Sequence, residues 1–175
     1  MTPYKIRLVS QQNELHPEWQ YRGCGIAALK MVMNYWHAVD ATNASPPIDE
    51  LLATGLKLYA YVQNIGWSHA GLVNIARQYG YEGQNYDLAS SDIETAWESL
   101  KAQIKTGPVM VSVYSQFDPT RGGGHIVVVT GLDGDMVYLN DPEEASQEAG
   151  VKIMTLEDFL RSWKKRYIVI RPLEF

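Results

Sequence analysis

The run "HIVVVTGLDGDMVYLN" (125–140) leaves this chain the fewest choices. Residues 125–132 are almost uninterrupted apolar sequence, as in a central strand buried on both faces. "DGD" (133–135) is a tight-turn signal leading into "MVYLN" (136–140), so the two segments should pair as a hairpin. "PVMVSVY" (108–114) and "RYIVIRP" (166–172), the latter stopped by Pro172, supply further strands. The second half of the chain therefore reads as a mostly antiparallel sheet.

The first half has a different period. "YKIRLVS" (4–10) alternates apolar and polar residues and reads as a half-buried leading strand. From Gly25, the apolar residues Ile26, Ala27, Leu29, Val32, Met33 and Trp36 recur at three- and four-residue spacing, a helix with a wide buried face. Residues 40–47 form a loop, and 48–62 read as helical with Gly55 a weak point. Ser68 caps a helix through Tyr79 closed by Gly80, and Ser90 or Ser91 caps another through Lys105. "TLED" (155–158) fits a capping box before a short helix. Helices first and a mostly antiparallel sheet second means an α+β fold, with no repeat or linker dividing residues 1–175.

Composition narrows the function classes. At 175 residues, with 46% hydrophobic and 20% charged, the chain suits one globular domain. A net charge of −5 argues against nucleic acid or an anionic membrane as partner. The basic run "RSWKKR" (161–166) reads as the solvated end of a helix. One cysteine forms no internal disulfide, no apolar run reaches the roughly 18 residues of a membrane span, and no leader-like apolar stretch opens the chain. A soluble, cytoplasmic protein is expected. One cysteine and four scattered histidines lack zinc-ligand spacing, and "RGGGH" precedes a strand rather than a helix, so no metal or phosphate cofactor is expected.

Three residues carry candidate chemistry. Cys24, in "YRGCGIAALKMVMNYW", sits between two glycines at a predicted helix start, where unpaired N–H groups and the helix dipole favour a thiolate. The plain alternative is a small buried core residue. His125 opens the most hydrophobic strand beside a glycine run, placed to face a cleft or merely to cap a sheet edge. His16, His37 and His69 have no matching partner and read as surface or packing residues. Asp141, in "LNDPEE", is either an Asp-Pro turn residue or a carboxylate that the hairpin returns beside His125, where it would fix the imidazole tautomer. The hairpin was inferred without reference to catalysis, yet it joins the two.

"CGIAALKMVMNYW", "GGGHIVVVTGLDGDMVYLNDP" and "TLEDFLRSWKKRYIVI" together resemble the C39-like cysteine peptidases of the papain-like superfamily, over about residues 5–171. The resemblance implies a papain-like α+β fold with a helical N-terminal half packed on the sheet. It implies Cys24 as nucleophile, His125 as general acid/base and Asp141 as its orienting group. It also implies a glutamine that stabilises the oxyanion. Gln11, Gln12 and Gln20 are candidates, and Gln11, at the end of the leading segment, is favoured. Transporter-linked members carry that glutamine about six residues before the cysteine, where this chain has Glu18, and relatives often have a proline after the "CG".

The reaction implied is acyl transfer through a thioester on a peptide or protein substrate. Residues 115–124 would form one lip of the cleft and 60–85 the other. Transporter-linked relatives cut leaders after Gly-Gly, a role this chain does not support without a membrane domain. A transglutaminase-like transferase shares the same order of Cys, His and Asp. An inactive binding module on the same fold is the alternative from a different class.

Overall fold

The computed structural model describes residues 2–173. Its centre is a six-stranded sheet in which every pair is antiparallel. The strands are β3 (Tyr81–Asp87), β4 (Val109–Val113), β5 (His125–Asp133), β6 (Met136–Asn140), β7 (Val151–Thr155) and β8 (Trp163–Pro172), in the order β3-β8-β4-β5-β6-β7. A separate two-stranded ribbon pairs β1 (Tyr61–Val62) with β2 (Gly66–Trp67). The α+β architecture is the one anticipated.

Strand alternation sorts the sheet into two cores. Met110, Ile126, Val128, Ile168 and Ile170 face helices α2 (Cys24–Val39), α3 (Ile48–Lys57) and α4 (His69–Arg77). Val109, Val111, Val127, Val129 and Tyr167 face α5 (Ile93–Ile104) and α7 (Leu156–Ser162). Each face is thus covered, which is what the apolar β5 run required. Ile26, Leu29, Met31, Val32 and Met33 of α2 are fully buried, each contributing about 1.5–3 kcal/mol of burial.

The β5–β6 hairpin forms with a bulge. Val129 pairs with Leu139 and Gly131 with Tyr138, so Thr130 has no ladder partner. Its carbonyl instead accepts the Tyr4 N–H at 2.7 Å. This corrects the leading strand expected over residues 4–10. The segment is bound without a ladder: Asn140 Nδ2 donates to the Ile6 carbonyl, and the Leu8 N–H donates to Gln147 Oε1 in the short helix α6 (Gln147–Gly150). The alternation signalled half-burial correctly, but half-burial does not require strand pairing.

Four further differences have local causes. The helix begun at Ile48 ends at Lys57, because Tyr59 adopts φ 54 while its N–H donates to the Leu56 carbonyl and the Ala60 N–H donates to Gly55. That is a Schellman ending with tyrosine at the left-handed position. The cap of α5 is Asp92, whose carboxylate accepts the Thr95 N–H at 2.8 Å, in place of Ser90 or Ser91. "YEGQNYD" is β3 rather than part of a helical first half. It is an edge strand with little apolar content, and its full-length ladder with β8 creates it. Finally, α7 stops at Ser162, so the basic run extends β8 instead of ending a helix.

Gly55 is a requirement of packing. A Cβ there would lie 2.7 Å from Trp67 Cζ3 and 2.8 Å from Ile75 Cδ1, and one on Gly25 would lie 2.8 Å from Trp67 Cβ. The indole cannot retreat, since Nε1 donates to the Arg22 carbonyl at 2.8 Å and the ring packs against Trp19 and Tyr61. Gly55→Ala gains about 1 kcal/mol of helix propensity but overpacks this site by about 1–3 kcal/mol. Net destabilisation in urea unfolding at 25 °C is the expected result, and stabilisation would show that Trp67 can move.

Candidate active site

Cys24 is the first residue of α2, with Gly23 as N-cap. Gly23 has no room for a side chain, since a Cβ would collide with Leu15 and approach the Trp19 carbonyl. Close packing therefore fixes the backbone on both sides of the thiol. Cys24 is partly exposed, so it belongs to the surface of a cleft and not to the interior.

His125 and Asp141 meet as the hairpin geometry required. Val113 of β4 pairs with His125, setting the imidazole at the start of β5. Asp141 follows the last residue of β6, and its N–H donates to the Gly150 carbonyl at 2.8 Å. His125 Nε2–H donates to Asp141 Oδ1 at 2.6 Å, and both side chains are buried. The same Oδ1 accepts the Glu143 N–H at 3.0 Å, so Asp141 is also the turn residue that its Asp-Pro sequence suggests. Its other oxygen lies 3.6 Å from Lys152 Nζ. Because Nε2 serves Asp141, Nδ1 is the ring nitrogen left for Cys24, which lines the same cleft as His125.

The electrostatics follow from these contacts. Burial alone pushes the Cys24 thiol up. The His125 hydrogen bond and charge, with the backbone N–H groups of Ile126 and Gly25, more than offset it and hold the thiol below its ordinary value. Burial likewise opposes an imidazolium at His125, yet Asp141 and the Cys24 thiolate raise its pKa to about 10. Burial pushes Asp141 up, and His125, the Glu143 N–H and Lys152 bring it below the usual carboxylate value. All three shifts run toward the charged forms: thiolate, imidazolium and carboxylate.

The glutamine candidates separate. Gln11, at the start of α1 (Gln11–Glu14), is buried and lines the cleft with Cys24, whereas Gln12 and Gln20 do not line it. The Gln11 N–H donates to the Pro142 carbonyl at 2.9 Å, tying it to the Asp141 turn. Its Nε2 donates to the Gln20 carbonyl at 2.7 Å, and its Oε1 is buried with no hydrogen-bond partner among the described residues. An orphaned buried amide oxygen is costly and is found where function requires it. Glu18 is exposed.

The cleft encloses about 870 Å³, enough for several peptide residues. Its lining includes Ser115, Gly123 and Gly124 together with Tyr61 and Trp67 of the β1–β2 ribbon. His16 and His37 are exposed, near Glu18 and the Asn43 carbonyl. His69 is different from the surface role expected. As the first residue of α4 it lines the cleft, and the available signal was its place directly after the capping Ser68. His125, Asp141 and Glu143 bring metal-ligand types within 4.8 Å of one another, but His125 Nε2 is committed to Asp141 and Glu143 is exposed. Among the described residues, no helix is long and apolar enough to cross a membrane.

Comparison with known proteins bears on the fold and the family. The chain is 28% identical over 159 residues to the uncharacterized protein YvpB of Bacillus subtilis (strain 168), covering 74% of this chain and 62% of that one, so it spans less than two thirds of that relative. The double-glycine-motif protease of an AMS/PCAT transporter, solved with its leader peptide, superposes with a TM-score of 0.64 at 23% identity, covering 97% of this chain and 94% of that one. The peptidase domain of Streptococcus ComA, a bi-functional ABC transporter, does so with a TM-score of 0.64 at 22% identity, over 97% and 98%. These likenesses establish the fold. Residues 4–169 match the model of the Peptidase_C39 like family, and the chain belongs to that family.

Proposed function

We propose that the chain works as a single peptidase-like domain, a thiol hydrolase that cleaves a peptide or amide bond through Cys24, His125 and Asp141. The observation that carries this reading is the buried His125–Asp141 hydrogen bond of 2.6 Å on an imidazole that lines one cleft with the Cys24 thiol. Cys24 attacks the carbonyl carbon, forming a C–S bond and an oxyanion. The Cys24 N–H at the helix start and the second amide hydrogen of Gln11 donate to that oxyanion. His125 then passes its proton to the leaving nitrogen, the C–N bond breaks, and water releases the acyl group from the thioester. Asp141 positions the imidazole throughout. A peptide substrate is supported by the volume of the cleft, about 870 Å³, and by the leader peptide held in the AMS/PCAT relative. Transfer to an amine in place of water uses the same residues, and added amine acceptors distinguish the two outcomes.

Iodoacetamide labelling tests the activated thiol. Wild-type Cys24 should label rapidly at pH 6.5–7, well below the range of an ordinary thiol. His125→Ala, which leaves burial unopposed, should slow labelling at pH 7 about tenfold or more. Equal, slow rates in both proteins would end this reading. Gln11→Ala should reduce kcat by about 10²-fold with little change in KM, as loss of one oxyanion donor does, once a peptide substrate is in hand.

Asp141→Asn tests the carboxylate through stability. The raised His125 pKa stabilises the fold fully below its ordinary 6.5, and that contribution is lost as pH rises through about 10. The lowered Asp141 pKa contributes fully above its ordinary 3.8 and is lost as pH falls below it. Asp141→Asn should therefore cost about 2 kcal/mol near pH 6 and progressively less toward pH 10. A penalty that does not change between these pH values would mean that the pair is not ionic.

A further inference from the structure

The basic run has become part of the cleft. Between β4 and β8 the register shifts, with Ser112 opposite Arg166 and Val113 opposite Trp163. Lys164 and Lys165 therefore form a bulge, and Lys165 is held at φ 53, a conformation non-glycine residues adopt at a cost. Bulges beside active sites re-aim side chains. Here Lys165 turns away, its Nζ donating to the Ser91 carbonyl at 2.6 Å, while Lys164 and Arg166 line the cleft that holds Cys24.

Lys164 lies next to the site. A Cβ on Gly124, the residue before His125, would be 3.5 Å from Lys164 Nζ. The ammonium donates to the Gly123 carbonyl at 2.7 Å and sits 5.3 Å from the Tyr114 ring centroid. Among the described residues no carboxylate stands within ion-pair distance of it, although the chain carries a net charge of −5. Arg166 binds Asp87 Oδ2 through Nε at 2.9 Å, and its two terminal nitrogens make no hydrogen bond among the described residues. Two cations against one carboxylate leave this end of the cleft positive. His69, which also lines the cleft, registers that field: burial lowers its pKa, and Arg166 and Lys164 lower it further against the opposing pull of Asp87. Arg22 and Glu143, elsewhere in the cleft, offset one another.

We propose that Lys164, the open fork of Arg166 and His69 form a subsite for a carboxylate of the bound peptide, supplied by an acidic side chain. This deepens the peptidase reading and rests on it. An ammonium that spends one N–H on the Gly123 carbonyl and an unfilled guanidinium fork have donors left for a carboxylate, and His69 can donate one N–H while neutral. The same chemistry could come from a peptide C-terminus.

The test uses two alkylating probes on the whole protein, iodoacetate and iodoacetamide. Both form the same C–S bond with Cys24 and release iodide, but only the first is an anion. The ratio of their rates in each variant cancels any change in thiol activation. The ratio should fall about threefold in Lys164→Gln and about tenfold in Lys164→Glu, persist in Lys164→Arg, and shrink in 0.5 M salt. Fast iodoacetamide labelling with an unchanged ratio in Lys164→Gln and Lys164→Glu would overturn the subsite alone. Slow labelling of wild type by both probes would overturn the activated thiol and the subsite with it. Protection of Cys24 from iodoacetamide then identifies the source. An acetylated, amidated Gly-Glu-Gly-Glu-Gly peptide should protect better than its lysine counterpart. Stronger protection by acetyl-pentaglycine with a free carboxylate would assign the subsite to a C-terminus, and equal or stronger protection by the lysine peptide would overturn it.

Discussion

The burial of β5 on both faces governs the rest of the molecule. Ile126 and Val128 enter one core while Val127 and Val129 enter the other. A slip of one residue would exchange every side chain between the two layers, so the register is fixed by packing on two sides. Fixed register is also what sets His125 at the strand mouth and returns Asp141 beside it. The bulge at Thr130 falls within the hairpin and takes up the Tyr4 N–H, so it also anchors the N-terminal segment that leads to Gln11. The apolar demand of one strand thus decides the geometry of three polar side chains.

Those side chains oppose the rule that buried groups lose their charge. Cys24, His125 and Asp141 each meet a desolvation cost as the largest single influence, and each has a pKa shifted toward its charged form. The explanation lies in alternation. In their charged forms Cys24, His125, Asp141, Lys152 and Glu144 alternate in sign, closing with Lys152 Nζ 2.7 Å from Glu144 Oε1. The last two members reach solvent. A charge that is buried at one end is compensated at each step, and removal of a middle member strands its neighbours in a low dielectric.

The sequence was readable where one interaction dominated. The β5–β6 hairpin, the start of α2 and the caps at Ser68 and Thr155 all rest on local chemistry, and they stand as read. β3 was invisible because nothing in "YEGQNYD" favours a strand except the presence of β8. The helix from Ile48 was read too long because its end depends on Tyr59 in a conformation that glycine normally supplies. Cys24, His125 and Asp141 could be joined from sequence because a hairpin and a helix start are local signals. The choice among Gln11, Gln12 and Gln20 could not, because it turns on the Pro142 carbonyl contacting an N-terminal segment. The place of Lys164 and Arg166 in the cleft was hidden for the same reason: a basic run looks solvated until a bulge turns it into a cleft.

Dependence on distant contacts has a chemical consequence. Cys24, His125 and Asp141 come from α2, β5 and the end of β6, and no two of them lie in one element. In an unfolded chain the thiol has its ordinary pKa and is mostly protonated at neutral pH. The lowered pKa of the thiol depends on α2 being seated over β5, and that seating requires Gly25 to admit Trp67 and Gly23 to admit Leu15. The cleft lip carrying Tyr61 and Trp67 belongs to the same packed group. The packing that places Cys24 beside His125 and the packing that forms the cleft lip are therefore one set of contacts, so under the proposed reading a partly folded chain exposes an ordinary thiol.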